Sequence, residues 1–180
     1  MRNQAGQQAS EFAGALVILL VFVAVPLVDL GIIPVRLGLA QSLVSNSVRK
    51  LALSEKASQA FRGVEENREL SDALRSLGGV ELRSLRLVLS IESSKSDSTK
   101  KLIEKPGTIP VDWLPDGANC PCNYMLKLQA DADVFPLVIA PLPGQKVPGL
   151  TGPVPSTFVE VSHWENLGRD PTTGEYFVNE

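Results

Sequence analysis

The two cysteines, Cys120 and Cys122, are the only thiols in the chain and stand two positions apart. They could bond to each other in a small, easily reduced ring, bond to another chain, or take part in redox catalysis. A structural metal site needs about four ligands, and two cysteines with the single histidine, His163, cannot supply them. We therefore predict no metal site, and we favour a structural or incidental thiol pair.

Asp131 and Asp133 are the other candidate for chemistry, as ligands of a cation. They share one face of a strictly alternating segment, Tyr124 to Val134, but no further acidic residue lies in register with them. We therefore expect a solvated face rather than a calcium site. The chain also has no phosphate-binding glycine loop, nucleophile elbow or zinc motif, so we predict neither an enzyme nor a cofactor. A net charge of −3 argues against a nucleic-acid partner.

The remaining candidate functional residues lie near the N-terminus. They surround an apolar segment, residues 12–33, whose one formal charge is Asp29. As a helix this segment would be roughly 33 Å long, which is enough to cross a bilayer core. A cleaved secretory signal fits less well, because the run is long and no small-residue cleavage site follows it. We therefore predict a membrane-spanning helix.

The charges that flank this segment leave its orientation open. Arg2 precedes it, whereas Arg36, Arg49 and Lys50 follow it. By the positive-inside rule this distribution places the C-terminal part inside the cell, in conflict with an exported domain.

The spacing of Gly6, Gln7, Glu11 and Phe12, with an apolar helix directly behind, resembles the prepilin-peptidase site of type IV pilins. The run Pro26-Leu27-Val28-Asp29-Leu30-Gly31 makes the chain similar to the TadE-like family, the minor pseudopilins of tight-adherence (Flp) pilus systems. The resemblance covers roughly the first 31 residues closely and the remainder only in general layout.

This resemblance implies that a leader, residues 1–6, is removed after Gly6 by a prepilin peptidase, although the leader carries only one basic residue. Glu11 of one subunit would then pair with the new amine on Gln7 of a neighbour. The implied partners are other pilin-like subunits, the inner-membrane assembly machinery and membrane lipid. The implied location is a bacterial membrane crossed once, with the C-terminal domain periplasmic or extracellular.

Phe12 and Asp29 belong to the same expected assembly surface. Asp29 follows Pro26 near the far end of the span, where a charge is less costly than at the membrane centre. It is either a solvated group at the interface or part of a docking point for another pilin-like helix.

Behind the span, apolar residues at intervals of three or four predict that the helix continues to about residue 60, with a possible end or bend at Pro34. The helix is thus expected over residues 7–60, with its membrane part at residues 12–33. A second helix is predicted over residues 64–77, ended by Gly78 and Gly79.

Alternating residues predict strands at 80–91, with a bulge near Arg83 and Ser84, at 124–134 and at 156–164. A polar loop is expected at 92–110, an extended connector at 136–155 and a short edge strand at 176–178. The predicted fold class is therefore α+β and pilin-like. Its long N-terminal transmembrane and amphipathic helix packs on a small antiparallel sheet within an exported domain, residues 64–180.

Two other functions remain open on the sequence alone. One is an uncleaved single-pass envelope protein whose α+β domain binds a ligand or partner. The other, less favoured, is a thiol-redox protein that uses Cys120 and Cys122.

Overall fold

A continuous helical path occupies residues 4–52 of the computed structural model, which describes residues 4–66, 68–95, 99–139 and 147–180. Helix α1 (Gln4–Leu19) passes into a π-helical segment (Leu20–Ala24) and then into α2 (Val25–Ala52). The π segment ends just before Pro26. Since proline lacks an N–H and its ring crowds the carbonyl four residues earlier, a wider turn at this point accommodates it.

The second part of this helix continues through Pro34, as the prediction over residues 7–60 has it, but ends earlier than predicted. Pro34 lies inside α2 and does not end it. The helix ends at Ala52, short of the predicted residue 60, because Leu53 leaves the helical conformation. The apolar spacing beyond Ala52 belongs to a separate helix, α3 (Ala57–Glu66), which buries its own small and aromatic side chains.

The predicted helix at residues 64–77 is also divided differently. Gly63 lies within α3, and a further helix, α4 (Arg68–Ser76), follows it. Gly78 and Gly79 do stop this helix, and both adopt the positive φ angles that glycine tolerates best.

Within the described residues, four strands form one antiparallel sheet in the order β2-β1-β3-β4. They are β1 (Val80–Ser93), β2 (Lys100–Ile103), β3 (Cys122–Val134) and β4 (Val154–His163). The bulge predicted in β1 is confirmed as a register shift between Leu82 and Ser84.

Two of the predictions for the sheet region are wrong. The polar loop at 92–110 contains β2, a short edge strand that pairs with the end of β1. The predicted edge strand at 176–178 is absent from the described residues, in which Tyr176 makes only an isolated bridge with Arg169. Residues 140–146 of the predicted connector lie outside the described residues.

The core lies between the sheet and the helices. Every second residue of β3 from Tyr124 to Val134 is buried, as the alternation predicts. Ala40, Val44 and Val48 of α2 pack against this face, over β3 and β4, while α3 and α4 cover β1.

The last segment of the chain is fastened to the start of α3. The N–H groups of Ala57 and Ser58 donate to the carbonyls of Phe177 and Glu180, at 2.9 and 2.6 Å. Lys56 Nζ lies 2.7 Å from Asp170 Oδ2 and 2.8 Å from Glu180 Oε2. The hydrogen bond to Asp170, followed by that to Glu180, raises the pKa of Lys56, and the hydrogen bond from Lys56 lowers the pKa of Asp170.

Candidate functional site

The first half of the helix exposes its apolar side chains. Residues 12–28 carry no charge and cover roughly 25 Å along the helix axis. Phe12 at their start is 70% exposed, and most of the large side chains behind it are also exposed. The described part of the chain thus has one helix, near its N-terminus, that is long and apolar enough to cross a membrane or to serve as a signal sequence.

The predicted processing residues lie at the start of this helix. The backbone of Gly6 and Gln7 is within α1, and Glu11 lies one helical turn after Gln7. Glu11 and Phe12 are exposed at the base of the apolar stretch. The structure therefore places the four residues in consecutive turns of one helix.

Asp29 is buried within the chain's own domain and is only 1% exposed. Its Oδ1 accepts hydrogen bonds from the N–H groups of Leu137 and Val138, at 2.7 and 3.2 Å. Its Oδ2 has no hydrogen-bond partner among the described residues. Neither of the two predicted environments, a solvated interface or a partner helix, describes this carboxylate in the single chain.

Arg36 holds the same segment two helical turns further along. Its Nη1 donates to the Phe135 carbonyl at 2.5 Å. Residues seven apart lie on nearly the same helix face, so Asp29 and Arg36 both point to the chain that leaves β3. The Asp29 carboxylate accepts hydrogen bonds from two N–H groups of this segment, and the Arg36 guanidinium donates one to a carbonyl of the same segment. We call residues 135–139 the strap.

Gly79 makes room for this arrangement. A Cβ at residue 79 would lie 2.7 Å from Arg36 Nη1, and the φ angle of +74° also favours glycine. The Gly79 carbonyl accepts the Phe135 N–H at 2.8 Å. The glycine that ends α4 therefore also admits the arginine that fastens the strap.

An apolar groove of about 310 Å³ lies between α2 and the loop before β4. Pro26, Leu30 and Ile33 line its helix side, and Val147 and Leu150 line the other. The helix therefore presents apolar surface to this loop near the level of Asp29.

Cys120 and Cys122 are joined in a disulfide, with their Cα atoms 4.5 Å apart. Cys120 is buried, and its Sγ lies 3.6 Å from the Tyr124 hydroxyl, which donates to the Trp113 carbonyl at 2.7 Å. Burial raises the pKa of Tyr124 to about 12.

Asp131 and Asp133 are occupied within the sheet. Asp133 forms an ion pair with Arg83, while Asp131 accepts hydrogen bonds from the hydroxyls of Ser84 and Thr157 at 2.6 and 2.7 Å. The bond from Ser84, followed by that from Thr157, lowers the pKa of Asp131. Among the described residues no group of three or more histidine, cysteine or acidic side chains is arranged to hold a metal ion.

Sequence reasoning identified Asp29 as unusual but missed what it binds. Its partners are more than a hundred positions away, and they contribute backbone N–H groups, which no residue pattern marks. The one available signal is a charged residue inside an apolar helix, which calls for a partner wherever it is buried.

No protein-family model, curated protein or solved structure matches this chain.

Proposed function

We propose that the chain is a minor pseudopilin-like subunit that assists assembly of a tight-adherence (Flp) pilus. The observation that carries the proposal is the division of one helix into an exposed apolar half and a half packed on an antiparallel sheet. A subunit of this kind uses the first half to stay in the membrane and to contact neighbouring helices. The second half holds the exported domain.

The processing signal supports the same proposal. Gly6, Gln7, Glu11 and Phe12 have the spacing of a prepilin-peptidase site and directly precede the apolar half. After cleavage, Glu11 of one subunit would pair with the Gln7 amine of another, an interaction that gains strength in the low dielectric of a membrane.

Export of the domain is part of the proposal, and the disulfide supports it, because disulfides persist in oxidising compartments. The basic residues behind the span are the feature that argues against export. Two of them have partners within the domain: Arg36 bonds to the Phe135 carbonyl, and Lys50 lies 3.6 Å from Glu69. Protease accessibility of residues 60–180 in intact cells tests this orientation.

The decisive test is the mass of the mature chain. We expect the full-length protein, expressed with a prepilin peptidase and extracted from the membrane, to begin at Gln7. A Gly6→Leu variant should retain its leader. The matched control is Gly14→Leu, since a Cβ at residue 14 meets nothing within 4 Å, and this variant should be cleaved normally. A wild-type chain that keeps Met1 beside an active peptidase would contradict the proposal.

Assembly can be tested separately from cleavage. We expect Glu11→Gln to be cleaved but to lose co-purification with pilin-like subunits, because it cannot pair with their amines. Glu81→Gln, a change at an exposed position of the sheet, should co-purify as the wild type does. Equal recovery of both variants would remove Glu11 from the assembly surface.

The second candidate is an uncleaved single-pass envelope protein with a binding domain. Asp29 favours it, because this carboxylate is used inside its own domain and needs no neighbouring helix. The mass measurement separates the two candidates, since this protein would retain Met1.

A further inference from the structure

We propose that the strap, residues 135–139, is a membrane-surface contact through which the folded domain rests directly on lipid. Its exposed aliphatic side chains would enter the interfacial layer of the bilayer that the N-terminal helix crosses. The inference rests on the membrane-spanning part of the proposed function. It applies equally to a cleaved pseudopilin and to an uncleaved envelope protein.

The strap exposes three consecutive aliphatic residues. Leu137, Val138 and Ile139 are 59%, 46% and 56% exposed. Single exposed apolar residues are normal on a protein, but a contiguous run is unfavourable in water unless something covers it. Pro136, directly before them, is buried, so the exposed run begins where the strap leaves the core.

The position of the strap along the helix axis indicates that lipid covers these exposed side chains. The bonds from Leu137 and Val138 to Asp29 place the strap at the level of residue 29. At that level Leu27, Val28 and Leu30 expose their side chains from the helix itself. The exposed side chains of the strap therefore adjoin the exposed apolar side chains of the spanning helix. Lipid that contacts this part of the helix also contacts the strap.

Four backbone groups of the strap are hydrogen-bonded within the chain. An unpaired N–H or carbonyl group is costly in lipid. The N–H groups of Leu137 and Val138 bond to Asp29, and the N–H and carbonyl of Phe135 bond to Gly79 and Arg36. Asp29 thus has a specific task, because it satisfies backbone donors at the depth where water becomes scarce.

Tryptophan fluorescence in vesicles tests the contact. The full-length protein would be reconstituted in phosphatidylcholine–phosphatidylglycerol vesicles that carry bromine on the acyl chains close to the headgroups. The test variant is Val138→Trp. The matched control is Val111→Trp, also an exposed valine, which lies beyond the opposite end of β3 beside Trp113. Emission of the wild-type tryptophans, Trp113 and Trp164, is subtracted.

We expect bromine to quench the residue-138 signal at least about twofold more than the residue-111 signal. Ile139→Trp, at a second exposed position, should behave in the same way and guards against a folding defect at residue 138. Equal quenching at residues 138 and 111 in folded protein would overturn the proposal. So would quenching at residue 138 that appears only when the chains are diluted to one per vesicle, because a second subunit would then cover the strap at higher density.

A third variant separates this inference from the proposed function. Val21→Trp places the probe in the middle of the exposed apolar half of the helix, so it is measured in vesicles that carry bromine near the ends of the acyl chains. If this probe is not quenched, the membrane-spanning helix itself is refuted. If it is quenched and residue 138 is not, only the strap contact fails.

Discussion

Residues 12–28 and residues 33–52 belong to one helix and carry similar aliphatic side chains, but the two groups meet different surroundings. Leu20 and Val28 in the first group are exposed, whereas Val44 and Val48 in the second are buried against the sheet. The comparison shows that hydrophobicity alone does not tell an exposed apolar surface from a core surface. The spacing of polar residues does distinguish the two surfaces. Polar residues lie between the buried positions of residues 33–52, whereas residues 12–28 contain no polar side chain.

Asp29 marks the change between the two halves. Before it, the structure provides little cover for the apolar side chains, and after it the sheet begins to cover one helix face. The carboxylate is oriented toward the domain by its bonds to Leu137 and Val138. The boundary between the halves is therefore also a point of attachment.

The largest expected effect comes from placing the same charge in each half. Val44→Lys should destabilise the domain by more than about 4 kcal/mol, since it buries an unpaired ammonium group in the core. Leu20→Lys should leave domain stability unchanged and instead oppose membrane insertion by about 2.5–3.5 kcal/mol. Thermal unfolding of the purified protein and the membrane-bound fraction in cells measure the two effects. Unfolding of the domain by Leu20→Lys would abolish the distinction between the halves.

A smaller effect is expected at the boundary. Asp29→Ala removes the acceptor of two backbone N–H groups and should cost about 1.5–3 kcal/mol, the range for hydrogen bonds to a charged group. Hydrogen exchange at Leu137 and Val138 should accelerate, while that of β3 follows only the global change. Asp29→Asn is the control, because its amide keeps one acceptor oxygen and should lose less. Unchanged exchange at both amides in Asp29→Ala would show that the strap is held by other contacts.

The sequence predicted the parts of the fold that depend on local pattern. The alternation from Tyr124 to Val134 specified a half-buried strand, and the structure places that strand inside the sheet, as β3. Apolar residues at intervals of three or four predicted an amphipathic helix behind the span, and three of them, Ala40, Val44 and Val48, lie on the buried face of α2. In both cases one row of side chains meets the core, so the burial pattern repeats with the period of the element.

The remaining features depend on contacts that are distant in sequence. β2 has only four residues, two of them lysines, and forms because β1 offers an edge beside it. The end of α2 at Ala52 had no marker, because buried residues continue in α3 at similar spacing. The bonds from the strap to Asp29 and Arg36 join segments about a hundred residues apart through backbone atoms, which carry no sequence signal.

The smallest expected effect is a pH dependence confined to the domain. The native pKa of Asp170 lies below its ordinary value of 3.8, so its contribution to stability is complete above that pH and is lost as the pH falls below it. The pKa of Lys56 lies above 10.5, so its contribution is complete below that pH and is lost as the pH rises beyond it. The melting temperature should therefore fall at both extremes.

Substitutions test whether the pH dependence of the melting temperature arises from the cluster of Lys56, Asp170 and Glu180. Asp170→Asn should flatten the acid side of the profile, and Lys56→Met should flatten both sides. Glu104→Gln breaks an exposed pair with Arg86 and should change neither side, because exposed ion pairs contribute little. Residues 12–28 carry no ionisable side chain, so their helical circular dichroism should persist in vesicles after acid has unfolded the domain. Loss of both signals at one pH would show that the two halves unfold as a single unit.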